Sequence, residues 1–239
     1  MKDKKIIIQI PFSAFHKERE VKAEWNRARL RVFADYTLKS LKAQTNQDFV
    51  VLIKCRDIMK DFITEEANKL ASIPDNIRFV GFSKEYLIRV NELITGYKYF
   101  YEVRLDSDDM YCRTYIDFLH KYNPKEETEA LINQKGYLYD SISKRIALYG
   151  YTSPPYYTLI YKVEDYLRGF RYTLKRGHGS AIFLKHEILK DGNFIGVMHK
   201  INDSSSFEYL DRFVGKSKEK EREDILKEFG IKENDNGEN

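Results

Sequence analysis

The sequence predicts an α/β domain on a mixed, mainly parallel sheet flanked by helices, and three observations carry that expectation. Short β-branched runs alternate with stretches of helical periodicity through the first half of the chain, in the order β-α-β-α-β-α-β. Helices of that length between strands require right-handed crossovers, which make neighbouring strands parallel. The fourth run stops at Asp106-Ser107-Asp108-Asp109, and a parallel sheet binds its ligands beyond the carboxyl ends of its strands.

Each element has its own signal. Lys5 to Phe12 is an apolar run punctuated by Pro11, read as a buried strand emptying into a loop. From Glu20 to Gln44, Val21, Trp25, Ala28, Val32, Tyr36 and Leu41 recur at spacings of three, four and five, the pattern of an amphipathic helix. Phe49 to Ile53 is a second strand, Asp61 to Ser72 a helix, and Ile77 to Phe82 a third strand after the breaker Pro74-Asp75-Asn76. A helix fits Lys84 to Thr95, and Tyr99 to Leu105 alternates as the fourth strand. A helix from Thr114 to Tyr122 follows, then three antiparallel strands, Ala130 to Asn133, Tyr137 to Ser141 and Lys144 to Tyr149. Ala181 to Leu184 and Phe194 to His199 read as short strands, and Ser217 to Phe229 as a helix. This divides the chain into a domain over 1–215 and a charged helix with a disordered tail over 216–239, the tail from Asn234 onward.

Composition narrows the function classes. At 239 residues one domain is the expectation, and 15 Phe with 18 Tyr supply the core that a 42% apolar fraction leaves thin in aliphatics. Forty-one basic against 37 acidic residues, a net charge of +4, lack the one-sided field of a nucleic-acid binder. Cys55 and Cys112 build no disulfide framework, which fits a reducing, cytoplasmic setting. The N-terminal run has Gln9 in it and no small-residue cleavage site, so a signal peptide is not expected; nor is a membrane span, which leaves at most peripheral membrane contact.

Three carboxylates within one turn repel each other and need a cation or water. By itself the triplet also reads as a helix N-cap with first-turn acids. Its place at the end of a central strand favours Mg²⁺ or Mn²⁺, which bind one or two carboxylates plus substrate phosphates. A nucleoside diphosphate is the implied partner.

At these residues the sequence resembles glycosyltransferases of the GT-A fold, in particular the large inverting group and its compact bacterial rhamnosyltransferase-like branch. Ser40-Leu41-Lys42-Ala43-Gln44-Thr45-Asn46-Gln47-Asp48-Phe49 is similar to the segment preceding the second strand of these enzymes. Arg89-Val90-Asn91, Gly96-Tyr97-Lys98-Tyr99, Leu105 to Asp109 and His199-Lys200-Ile201-Asn202 follow in the family's order. The resemblance implies a metal held by Asp108 and His199, donor contacts from Asp57 to the base and from Asp106 to the ribose, and support of the metal site by Asp109. Each has a plainer reading: Asp57 as a surface loop residue, His199 as a satisfied core histidine. Arg29, Arg89 and Arg104 are the candidates for the diphosphate, since a guanidinium fork grips phosphate bidentately. Arg104 also reads as a partner of Glu102 on the same strand face.

The match departs from the family between Ala181 and His199, where no acidic pair stands to supply the base. Glu164-Asp165 is the nearest pair, with Asp165 as the candidate base and first-turn helix acids as the alternative; Asp140 and His178 are further candidates. The tyrosines around Pro154-Pro155, from Tyr149 to Tyr166, read either as stacking platforms for sugars or as core. The implied activity is metal-assisted transfer of a hexose or deoxyhexose, L-rhamnose among them, from a nucleotide-diphosphate sugar to a hydroxyl acceptor, with inversion, in bacterial surface polysaccharide synthesis. A non-catalytic nucleotide-sugar binder and a metal-dependent nucleotidyltransferase are the alternatives; the lack of a Gly-rich phosphate loop near the first strand counts against the latter.

Overall fold

The computed structural model describes residues 2–13, 17–201, 214–217 and 221–232. The N-terminal apolar run folds as β1 (Lys2–Pro11) near the middle of a seven-stranded sheet. On one flank lie β2 (Val50–Cys55) and β3 (Ile77–Gly81), and on its other flank β4 (Tyr97–Arg104), all parallel to it. Beyond β4 come β9 (Tyr157–Lys162), then β6 (Ala130–Ile132) and β11 (His186–Ile188). β9 is antiparallel to both of its neighbours, so the other six strands point one way.

Both faces of this sheet are covered, which is why β1 and β2 read as apolar runs rather than alternating ones. Ile6, Ile8 and Ile10 pack under α1 (Ala23–Val32), α2 (Leu38–Lys42), α3 (Lys60–Leu70) and α5 (Tyr115–Lys121). Ile7, Leu52 and Phe100 pack on the opposite face under α4 (Lys84–Ile94) and α6 (Val163–Leu167). Between α1 and α2 lies a π turn, Phe33–Thr37, closed by the Leu38 amide on the Phe33 carbonyl. That wide turn accounts for the spacing of five between Tyr36 and Leu41, which an unbroken α-helix would put on different faces.

A second sheet has the order β13-β8-β7-β12-β5, formed by β5 (Met110–Tyr111), β7 (Lys135–Asp140), β8 (Arg145–Gly150), β12 (Phe194–Met198) and β13 (Val214–Ser217). One face packs Tyr139, Ile146, Ile195 and Val197 against Tyr36 and against Leu226, Phe229 and Ile231 of the C-terminal segment. The other face, Leu138, Ala147 and Met198 with Tyr149 beside them, forms a smaller apolar floor.

Several boundaries differ from the sequence reading. Ala130 to Ile132 joins the main sheet rather than the 137–150 hairpin, because β9, to which the sequence pattern assigns no element, lies between β6 and β4. Ala181–Phe183 is a 3-10 turn, not a strand, and a short strand, β10 (Lys175–His178), precedes it. Ser217 closes β13, and the C-terminal helix α7 starts only at Arg222 and runs to Glu228. Asn202 and the tail from Asn234 lie outside the described residues. Among the described residues no helix is long and apolar enough to cross a membrane.

Candidate functional site

β4 ends at Arg104, and the chain turns sharply there: the Asp109 amide donates to the Asp106 carbonyl at 3.2 Å and β5 begins one residue later. This turn is the hinge between the two sheets. It lifts Asp106 to Asp109 off the carboxyl edge of the main sheet and into a cleft of about 530 Å³. One wall of the cleft is polar: Lys17, Arg19, Glu20, Arg29, Asp106 and Asp108, beside Trp25. The other is the apolar floor of the second sheet, Leu138, Tyr149, Gly196 and Met198.

Asp108 is the hub. Its Oδ2 accepts from His199 Nε2 at 3.0 Å, and its Oδ1 from Arg29 Nη2 at 3.3 Å. The Ile201 amide donates to His199 Nδ1 at 3.3 Å, so the neutral ring carries its proton on Nε2 and donates it to Asp108. Burial pushes the Asp108 pKa up, but the hydrogen bond from His199 and the Arg29 guanidinium outweigh it and hold the carboxyl below its ordinary range. Arg29 is fixed in turn by Ser107, whose hydroxyl accepts from Nε at 3.0 Å. Asp109 behaves in the opposite way. It is buried, accepts from Tyr156 Oη at 2.8 Å and from the Val197 amide at 2.9 Å, and is still pushed well above the carboxylate range by burial and by the charges of Asp108 and Asp106.

The donor set fits a divalent ion. Asp108 and His199 stand 3.0 Å apart, and with the Nε2 proton displaced, which frees that nitrogen's lone pair, the two would hold Mn²⁺ or Mg²⁺ that takes its remaining ligands from phosphate and water. Among the described residues no group of three or more His, Cys, Asp and Glu side chains converges, so an ion here would depend on substrate oxygens to complete its shell.

Arg104 pairs with Asp106 at 2.7 Å, not with Glu102, which takes its hydrogen bond from Tyr86 at 2.6 Å. Arg104 therefore orients Asp106 and stands behind the cleft rather than in it. Asp57 sits at the same edge of the sheet, over β2 and β3, and accepts from Ser83 Oγ at 2.9 Å. Gly81 lets it lie there, since a Cβ at that position would fall 2.2 Å from Asp57 Oδ1. The loops after β1 and β2 are tied together by the Arg56 amide donating to Ser13 Oγ at 3.1 Å. Asp57 does not line the cleft.

Two expectations are corrected. Arg89 is on the exposed side of α4, paired with Glu92 at 2.8 Å, and does not reach the cleft. Asp165 is exposed in the first turn of α6, directly after β9. Because β9 runs against β4, with Lys162 opposite Tyr99, α6 starts at the amino end of the parallel strands. Tyr99 and Leu105 are six strand positions apart, roughly 20 Å at ~3.3 Å per residue. Asp165 is thus at the wrong end of the sheet to act on anything held by Asp108. Asp140 is also outside the cleft; its carboxylate is engaged by the Ile142 amide and by Ser143, which hold its pKa down against burial.

Sequence reasoning missed several residues of the site. Ser107 was only the middle of an Asp-x-Asp, and nothing in its identity tells that it fixes Arg29. Gly196 is one of 12 glycines, yet a Cβ there would lie 2.8 Å from Tyr156 Oη and 2.9 Å from Leu138, so the floor needs glycine for close approach. Tyr157, Tyr161 and Tyr166 are buried core rather than platforms, Tyr156 is buried yet lines the cleft together with Tyr149, and Tyr151 is exposed. The Pro154-Pro155 signal did mark the segment that carries Tyr156 under Asp109.

A mainly parallel sheet with one reversed strand, a carboxylate turn after its fourth strand and a second sheet closing the cleft make up the GT-A architecture of nucleotide-sugar transferases. The chain belongs to the family described as "Putative rhamnosyl transferase", whose model matches residues 16–138, just over half of its length, and which makes it a glycosyltransferase. The comparison with curated proteins returns no match. Among solved structures, S. aureus TarS 1-349 is similar at a TM-score of 0.42 and 14% identity, covering 94% of this chain and 70% of that one. The glycosyltransferase GlyE of Streptococcus pneumoniae TIGR4 has a TM-score of 0.41 and 9% identity, covering 96% and 61%. A 4-diphosphocytidyl-2C-methyl-D-erythritolsynthase from Anaerococcus prevotii DSM 20548 has 0.38 and 13%, covering 87% and 94%. These likenesses are too distant to carry an activity across.

Proposed function

We propose that the protein transfers a deoxyhexose such as L-rhamnose from a nucleoside-diphosphate sugar to a hydroxyl acceptor, with inversion and with the help of Mn²⁺ or Mg²⁺. The observation that carries this reading is the convergence of Asp108, His199 and Arg29 at the polar wall of a cleft whose opposite wall is apolar. The polar wall suits a diphosphate. The apolar floor suits the carbon face of a sugar.

In the reaction the bond between the anomeric carbon and the diphosphate oxygen breaks, its electron pair leaves with the nucleoside diphosphate, and the acceptor oxygen forms the new bond as its proton passes to a base. A divalent ion held by Asp108 and His199 would neutralise the charge that develops on the leaving group. Arg29, locked by Ser107 and Asp108, needs no reorientation to meet a phosphate oxygen, and this preorganisation favours the departing charge. Asp106, held by Arg104, would accept from a ribose hydroxyl, and Asp109, held by Tyr156, would support the metal site. Pro11 and Phe12 lead from the cleft toward Asp57, where the base of the nucleotide would lie. With Asp165 displaced, Glu20 is the carboxylate of the cleft outside the 106–109 turn and takes its place as the candidate proton acceptor.

A cytoplasmic enzyme adding sugars to a bacterial surface polysaccharide is the setting this reading fits. The deciding experiment is thermal stabilisation by a panel of nucleoside diphosphates with and without Mn²⁺. A ligand at 100 times its dissociation constant adds about 2.7 kcal/mol. A metal-dependent shift selective for one base supports the reading; no shift with any diphosphate refutes it.

A further inference from the structure

The polar wall of the cleft carries Trp25, the single tryptophan of the chain, and two guanidiniums gather round its ring. Arg19 Cζ lies 5.6 Å and Arg29 Cζ 5.9 Å from the ring centre. Arg29 follows one helical turn after Trp25 on α1, so the i, i+4 spacing sets that contact. Arg19 comes from the 3-10 turn Glu18–Val21 ahead of the helix, and Asn26 straps that turn down: its Nδ2 donates to the Glu20 carbonyl at 3.0 Å and to the Lys22 carbonyl at 2.9 Å. The indole is braced edge-on by Phe12, buried at the exit of β1, with ring centroids 6.4 Å apart.

Two guanidiniums repel each other, and the electron-rich face of an indole attracts both. Arg29 already faces Asp108 at 3.3 Å, so by itself it presents little net positive charge to an anion. Arg19 adds that charge on the same wall. Two forks gathered by one ring match a ligand whose charge is spread over two phosphate groups, whereas a single phosphate engages one of them. Resting on the transferase reading above, we infer that Arg19 is a second arm of the diphosphate site and that Trp25 is the positioning residue that holds the two arms together. Through Trp25 the cleft selects a diphosphate over a monophosphate.

The test is titration calorimetry of the full chain with adenosine, guanosine, cytidine, uridine and thymidine diphosphates and the matching monophosphates, all with Mn²⁺. The parent is compared with Arg19→Ala, Trp25→Leu and the double variant. Each single variant should weaken binding of the preferred diphosphate by about tenfold or more, the loss of one charge-assisted contact, and of its monophosphate by less than about threefold. The double variant should lose little beyond either single one, since the two residues act as a unit. Trp25→Phe, which keeps an aromatic face, should recover most of the affinity. Trp25 emission, free of any other tryptophan, should change with the diphosphate in the parent and much less in Arg19→Ala. Arg19→Ala leaves the apolar core intact and so decides the matter even where Trp25→Leu lowers the melting temperature. Equal losses for monophosphate and diphosphate, an unchanged Arg19→Ala or Trp25→Leu, or a double variant whose loss is the product of the single ones overturns the inference. Failure of the underlying reading is a separate result: a parent protein that binds no nucleoside diphosphate with Mn²⁺.

Discussion

At the residue scale, the two carboxylates that follow one another at the end of β4 are tuned in opposite directions. Asp108 is held low by His199 and Arg29 despite burial, so its charged form stabilises the fold. That contribution is present above the unfolded carboxylate value of about 4 and is lost as the pH falls through its own lower value. Asp109 is raised by burial and by its acidic neighbours, so its ionisation costs stability as the pH climbs above the ordinary carboxylate range. Asp109→Asn should therefore raise the melting temperature in EDTA by at least about 2 °C while turnover falls, read by calorimetry and a donor-hydrolysis assay. Asp108→Ala and His199→Ala should each weaken Mn²⁺-dependent nucleoside diphosphate binding at least tenfold in a folded protein; unchanged affinity in both would remove the metal assignment. Asp165→Asn, far from the cleft, should keep turnover within about twofold of the parent.

At the scale of elements, the reversed strand β9 and the π turn are what the amino-acid pattern concealed. β9 brings Tyr156, at its entry, beneath Asp109 and stacks it on Phe194 with ring centroids 3.7 Å apart. Removing that hydroxyl in Tyr156→Phe leaves a buried carboxyl short of a donor. The expected cost is about 1–3 kcal/mol in urea denaturation, with a larger loss in activity than in stability. The C-terminal helix is the opposite case. The charged segment after 216 reads as a helix with a solvated face and an apolar side turned to its own domain, and Leu226 and Phe229 are buried against the second sheet while Arg113 pairs with Glu228 at 3.2 Å. Leu226→Ala should cost about 2–5 kcal/mol. A loss below 1 kcal/mol would mean that the helix is dispensable to the core.

At the scale of the whole molecule, two sheets meet at one turn, and the cleft takes one wall from each. The main sheet supplies charge at its carboxyl edge, where strand ends and helix starts converge. The second sheet supplies an apolar floor because its other face is already committed to Tyr36 of the π turn and to the C-terminal segment with α7. Substrate binding across such a hinge should order both walls together. Hydrogen exchange with and without nucleoside diphosphate and Mn²⁺ should show protection at 104–110 and also at 196–201; protection confined to the first segment would argue against His199 as a ligand.

How much of this was legible follows the range of the interactions. The sequence alone determined the alternating elements of the first half, the parallel sheet and the position of the Asp106–Asp109 turn, because strand period, helix period and turn residues are local properties of the chain. It pointed to His199 only through resemblance, and it gave no sign that Ser107 and Arg29, 78 positions apart, share a hydrogen bond. Reversal of β9 decided the fate of Asp165: identical local chemistry sits at opposite ends of the sheet depending on strand direction, and direction is set by which neighbour completes the sheet's hydrogen bonds. The tertiary structure alone therefore decided which carboxylates face the cleft, since burial and mutual repulsion depend on residues that only folding brings together.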